Sequence, residues 1–242
     1  MEHLNKISLE AFLEGQQAIY DKFRSNVHVV WREGISLSNI VQGGNRGGYA
    51  VNLRHPKHIT DNVREFSLAV ARTAPAIVFD ETNAHTSLIV YGVGSDFTPY
   101  EEVIQALEKG VHAVWNQLRR PKINYLGWLC NQDSVIAEGY ANGNFVSAMN
   151  VLMETLSQRG IPDIGERRVW GGHITTNRFI EQRSPEALTN FFKLMDNPHS
   201  SRLGYSEPTF LDVGYFRIMD DAGSLDNPAE GFKYIVTKRF EF

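Results

Sequence analysis

What most constrains this chain is a succession of strand-like and helix-like segments whose order nearly repeats. In the first half a helical pattern over 60–71 (Val63, Phe66, Leu68, Val70) is followed by strand-like stretches at 76–79 and 84–91. A longer helix over 99–118 then carries Val103, Ile104, Leu107, Val111, Val114 and Trp115 as one apolar stripe. The second half brings strands at 123–130 and 134–139, a helix at 145–156, a strand at 169–179 and a proline-started helix at 185–195. Two long alternating strands, 209–219 and 232–242, close the chain. Ahead of all this the spacing predicts an opening helix over 8–23 capped by Ser8, a short strand at 27–31 and a strand at 49–53. Mixed elements in two similar halves, with no Pro/Ser linker between them, predict an α+β protein. It is bilobal: two similar lobes, each with a mostly antiparallel sheet and helices, share an active-site cleft.

Composition narrows the partners. The chain has 242 residues, 42% of them hydrophobic and 21% charged, enough apolar mass for a folded core. A net charge of −4 leaves no global positive field to hold a long polyanion, so long-duplex nucleic-acid binding is not expected. The single cysteine, Cys130, lies in an apolar stretch and reads as a buried structural thiol. The N-terminal Met-Glu-His-Leu-Asn-Lys lacks the basic flank and apolar core of a signal peptide, and no apolar run reaches the about 18 residues of a membrane span. The expectation is a soluble, cytoplasmic protein with no membrane partner. A glycine-rich segment, 42–48, suggests a phosphate cradle. Its glycines open a strand where a nucleotide loop would open a helix, which favours a flexible turn.

The chemistry is carried by histidines. Three of the eight begin the pattern His-x-Ser/Thr: His58-Ile-Thr60, His85-Thr-Ser87 and His173-Ile-Thr175. On an extended strand residues i and i+2 share a face, so an imidazole and a hydroxyl at that spacing converge on one point. His85 with Ser87 and His173 with Thr175 sit in strand-like contexts at equivalent places in the two halves. His58 sits behind Pro56 and ahead of Asp61-Asn62, a turn in which Thr60 would cap a helix. No His-x-His or His-Glu-x-x-His pattern accompanies the pairs, so no metal site and no cofactor is expected.

The two strand-borne pairs, and above all Gly-His-Ile-Thr-Thr-Asn-Arg-Phe at 172–179, resemble the 2H phosphoesterase superfamily, which includes 2′-5′ RNA ligases and RNA 2′,3′-cyclic phosphodiesterases. The resemblance runs from about Tyr49 to the C-terminus. It divides the chain into an N-terminal extension, 1–45, with a helix and a short strand, and a bilobal domain, 46–242. It implies catalytic roles for His85 and His173 and phosphate-binding roles for Ser87 and Thr175, although serine stands in the first motif where threonine is commoner. It also implies a phosphoric diester hydrolase that needs no metal and acts on a cyclic phosphate or 2′-5′ phosphodiester of a nucleotide or RNA end, with reverse 2′-5′ ligation as a further activity. The alternatives are a non-catalytic RNA- or nucleotide-binding module on the same fold and, behind it, a histidine-ligated metallohydrolase.

Two histidines with ordinary pKa values near ~6.5 can share the acid and base tasks at neutral pH. Which histidine takes which task is open, as are the exact substrate and the oligomeric state. Arg178 follows the second motif, but an ideal strand turns it to the other face, so an ion pair is the favoured reading over phosphate contact. Tyr91 shares the parity of His85 and Ser87, which leaves base stacking at the cleft edge and burial in the lobe as equal readings. Trp170, on the opposite parity from His173, reads as core.

Overall fold

The structure, a computed structural model, describes residues 6–39, 41, 46–161, 171–196, 203–218 and 232–242. It is α+β, with two antiparallel sheets. In chain order the helices are α1 (Leu9–Glu33), α2 (Lys57–Ala71), α3 (Glu101–Val114), α4 (Gly143–Gln158) and α5 (Thr189–Met195). The strands are β1 (Gly47–Arg54), β2 (Ala76–Val78), β3 (Thr86–Gly94), β4 (Ile123–Cys130), β5 (Ser134–Ala141), β6 (Ile174–Phe179), β7 (Gly204–Ser206), β8 (Phe210–Ile218) and β9 (Phe232–Glu241). Short 3₁₀ turns stand at Trp115–Gln117, after α3, and at Pro185–Leu188, ahead of α5.

The lobes do not follow the halves of the chain. One sheet has the order β3-β1-β8-β9 and the other β2-β6-β5-β4-β7. Of the two C-terminal strands, β8 returns to pair with β1 and β9 pairs with β8 at the sheet edge, while β2, from the first half, crosses to pair with β6. Buried apolar faces dictate this exchange. All eight residues of β1 are buried, so β1 needs a neighbour on each side, and β8, the strand with the most buried residues near the C-terminus, supplies the second. Helix α3 packs on β8, α2 on β2 and β6, and α1 on β4 and β5; α4 touches β3 and β5, one strand of each sheet. Its buried Phe145, Met149, Leu152 and Leu156 therefore join a core common to both lobes.

The predicted strand at 27–31 is helical instead. Tyr20, Phe23 and Val30 continue the buried stripe of α1, with Val27 and Val30 packed beside Ile35, Phe66 and Phe191. Burial along one helical face outweighs the β-propensity of Val-His-Val-Val. The helix stops at Gly34, whose positive φ of 82° lets its N–H return to the Val30 carbonyl at 2.8 Å. Ser8 caps the other end, its hydroxyl accepting from the Ala11 N–H at 3.1 Å. Thr60 caps nothing. Helix α2 already begins at Lys57 behind Pro56, and the buried Thr60 hydroxyl donates to the Lys57 carbonyl at 3.1 Å. Of the glycine-rich segment, residues 42–45 lie outside the described residues, as does Trp170. Cys130 is buried among apolar side chains, which pushes its thiol up to about 12. Among the described residues no helix is long and apolar enough to cross a membrane.

Candidate active site

His85 and Ser87 stand at the start of β3, and His173 and Thr175 at the start of β6. All four are half-buried, while Thr86 and Ile174 between them are buried. The i, i+2 rule thus holds locally in both places, with the buried middle residue anchoring each pair to its sheet. The two segments meet at the junction of the sheets: the Thr86 hydroxyl donates to the His173 carbonyl at 3.1 Å. A Cβ at Gly171 would sit 3.2 Å from the Ser87 carbonyl, so the backbones themselves nearly touch there. His58 is elsewhere. It is exposed in the first turn of α2, with Nε2–H donating to the Tyr205 carbonyl at 3.2 Å.

The His85 imidazole is fixed in orientation. Its Nδ1 lies 2.6 Å from the Asn83 carbonyl, which can only accept, so Nδ1 carries the proton and Nε2 presents a lone pair. Burial lowers its pKa to about 4, against the Asn83 hydrogen bond that favours the charged form, and the nearby Arg54 charge lowers it further. The loop that presents Asn83 is laced to itself. Asp80 N–H donates to Asn83 Oδ1 at 2.7 Å, Thr82 N–H to Asp80 Oδ1 at 2.8 Å, and Arg54 Nη2 to the carbonyls of Glu81 and Thr82 at 2.6 and 2.7 Å. The rings of Phe232 and Tyr234, from β9, lie 6.1 and 5.8 Å from the imidazole, nearly parallel to it.

Strand register extends the site across the first sheet. Ser87 pairs with Asn52, Asn52 with Asp212, and Asp212 with Arg239, one polar residue from each of β3, β1, β8 and β9 in a single row. Asp212 is fully buried and is held by Arg239 through two parallel hydrogen bonds of 2.7 Å, with Arg54 Nε 3.7 Å away. A lone acid inside the apolar run Phe-Leu-Asp-Val is a signal of a paired buried charge; Asn52, Arg54 and Asn83 give no comparable signal in the sequence.

Two β-bulges decide the remaining candidates. In β3, Val51 pairs with Ile89 and Asn52 with Ser87, leaving Leu88 as the extra residue. Parity flips beyond it, so Tyr91 leaves the face of His85 and Ser87 and stacks on the buried Tyr49, ring centroids 6.2 Å apart. In β6, Ile136 pairs with Thr175 and Val135 with Asn177, leaving Thr176 extra. Parity flips again, and Arg178 comes to the half-buried side that His173 and Thr175 occupy. The guanidinium lies 3.7 Å from Asp133 Oδ2, the ion pair expected, though the ideal-strand premise behind that expectation does not hold.

The turn ahead of His173 needs its glycines. Gly172 has φ 101°, and a Cβ there would collide with Gln16 Nε2 of α1 and the Gly139 carbonyl. Gln16, buried, donates to the Gly171 carbonyl, so the N-terminal helix supports the second motif directly. Among the described residues, no group of three His, Cys, Asp or Glu side chains converges as a metal site would.

No protein-family model and no curated protein matches the chain. Solved structures do. One is TT0787 of Thermus thermophilus, at 14% identity over 81% of this chain and 97% of that chain, with a TM-score of 0.53. Another is ATU0111, a conserved protein from Agrobacterium tumefaciens str. C58, at 11% identity over 84% and 90%, with a TM-score of 0.54. Escherichia coli LigT in apo form follows at 15% identity over 83% and 98%, with a TM-score of 0.47. The chain shares its fold with TT0787 and ATU0111, and that fold is the two-lobed α+β arrangement that the order of elements in the sequence led us to expect.

Proposed function

We propose that this protein is a metal-independent phosphoesterase of the 2H type, acting on a cyclic phosphate or 2′-5′ phosphodiester of a nucleotide or RNA end. The observation that carries the reading is the meeting of the two His-x-Ser/Thr segments at the junction of the sheets, with the Nε2 lone pair of His85 available. His85 is the base: its Nδ1 proton is committed to Asn83, and its depressed pKa keeps it neutral at pH 7. In hydrolysis of a 2′,3′-cyclic phosphate, water attacks phosphorus and passes its proton to His85 Nε2. The bond from phosphorus to one ribose oxygen breaks, and His173 protonates that oxygen. Ser87 and Thr175 donate to the non-bridging oxygens; among the described residues neither hydroxyl has another hydrogen-bond partner. Ligation is the same attack with a 5′-hydroxyl in place of water: its proton passes to His85 Nε2, its oxygen bonds to phosphorus, and the departing ribose 3′ oxygen takes the proton from His173.

The net charge of −4 favours small or terminal substrates over long chains. The test is a product screen of the purified protein, with EDTA present, against 2′,3′-cyclic nucleotides, 2′-5′ linked oligonucleotides, 3′-5′ cyclic dinucleotides and RNA with a cyclic-phosphate end. Turnover that persists in chelator is the expected result. Activity lost in EDTA and restored by zinc or manganese would point to a metallohydrolase, and tight binding with no turnover to a binding module.

A further inference from the structure

Behind the two motifs lies a closed polar cluster that the reaction itself does not use. Its centre is the Thr86 hydroxyl, the middle residue of His85-Thr86-Ser87. Thr86 Oγ1 lies 3.1 Å from the His173 carbonyl, 2.6 Å from the Tyr125 hydroxyl and 3.0 Å from His55 Nε2. On its far side His55 Nδ1 lies 2.8 Å from the Ser206 hydroxyl. All four side chains are buried, and they come from β3, β4, β7 and the residue just after β1.

The protons in this cluster can be assigned. A carbonyl only accepts, so the single Thr86 proton goes to His173. Thr86 Oγ1 then accepts from both remaining neighbours: the 2.6 Å contact takes the Tyr125 proton, and the His55 Nε2 proton is shared between Thr86 Oγ1 at 3.0 Å and the Tyr125 oxygen at 3.2 Å. Burial, with the Arg54 charge adding to it, lowers the His55 pKa to about 3, so the ring is neutral and its Nδ1 is a lone pair. Ser206 must donate to it. The result is a one-way chain, Ser206 to His55 to Thr86 to the His173 backbone, running from one motif into the other across the two sheets.

We propose that Thr86 is a positioning residue that sets the separation of the two histidine motifs, with His55, Tyr125 and Ser206 holding its hydroxyl toward His173. The proposal rests on the phosphoesterase reading for what the separation is used for. A base and an acid on opposite sides of one phosphorus must keep their spacing through the transition state, so a hydroxyl bridging their backbones acts on turnover more than on substrate binding.

The test has two arms. The first needs no substrate: two-bond ¹H–¹⁵N correlation spectra of the labelled full-length protein at neutral pH should show His55 as the Nε2–H tautomer. The second is kinetic. Thr86→Val should lower kcat by ~10–100-fold with KM within about threefold of the parent, and Thr86→Ser, which restores the hydroxyl, should return kcat to within about threefold. An Nδ1–H tautomer at His55 overturns the proposal. So does parental kcat in Thr86→Val, or a Thr86→Ser variant as slow as the valine one. Should Thr86→Val not fold, the tautomer and the serine variant still decide, a serine loss beyond tenfold counting against it. A parent inert toward every phosphodiester in the screen takes down the phosphoesterase reading, and the tautomer then decides the direction of the chain by itself.

Discussion

At His85 a single contact does two things, since the Asn83 carbonyl fixes both the ring's orientation and the nitrogen that is free to take a proton. Replacing either His85 or His173 by alanine should lower turnover by ~10²–10⁴-fold in a folded protein, the range of a lost acid or base. His58→Ala, on an exposed turn of α2, should leave it unchanged. Steady-state kinetics on a substrate that the parent cleaves decides this, and parental turnover in either single mutant would refute the two-histidine mechanism. Because the two groups act as a unit, the double mutant should be scarcely worse than the poorer single one. The acid limb of kcat/KM should lie well below the ~6.5 of an ordinary histidine, because burial lowers the His85 pKa to about 4. Thr175→Val keeps the shape and removes one donor, for an expected loss of ~10–100-fold.

The element scale changes the standing of the N-terminal helix. α1 is a working part of the second motif's support, although the sequence offers no motif there. Antiparallel pairing of β5 with β6 ends at Ala137 and Ile174, and beyond that point the Tyr20 hydroxyl takes the neighbouring strand's place. It accepts from the Gly139 N–H at 3.0 Å and donates to the Gly139 carbonyl at 2.9 Å. One turn earlier, Gln16 holds Gly171. Tyr20→Phe leaves both Gly139 groups without that partner and should cost about 1–3 kcal/mol of stability, read from denaturant midpoints. Gln16→Met fills similar volume and should instead slow turnover, on the order of tenfold, with stability changed by no more than about 1 kcal/mol. Parental turnover in Gln16→Met would mean that the glycine turn holds His173 in place without help from α1.

For the whole molecule, the buried His55 and the half-buried His85 make stability depend on pH. Both are neutral when folded, with pKa values lowered to about 3 for His55 and about 4 for His85. The stability this represents is complete above ~6.5, the ordinary histidine value, and falls as pH drops toward 4, because the unfolded chain takes up protons that the folded one refuses. Each histidine adds a slope of about 1.4 kcal/mol per pH unit in that window. Thermal melts at a series of pH values should show Tm falling from pH 6.5 downward, and His55→Gln should flatten the fall; an equally steep fall in His55→Gln would assign it to other groups. The sequence by itself determined the α+β class, most strand and helix positions, the Ser8 cap and the two His-x-Ser/Thr pairs, since period and spacing are local and survive without knowledge of partners. Tertiary structure alone decided that β8 returns to β1, with β9 on its outer edge, because only an assembled sheet shows which buried face lacks a neighbour. It also decided that 27–31 is helical, that bulges at Leu88 and Thr176 re-aim Tyr91 and Arg178, and that His55 and Thr86 stand behind the motifs. The helical spacing of Tyr20, Phe23, Val27 and Val30 was present in the sequence, but the β-propensity of 27–31 competed with it until the packing partners were known. The bulges and the placing of His55 and Thr86 depend on contacts between residues far apart in the chain, and such contacts leave no periodic trace in the sequence.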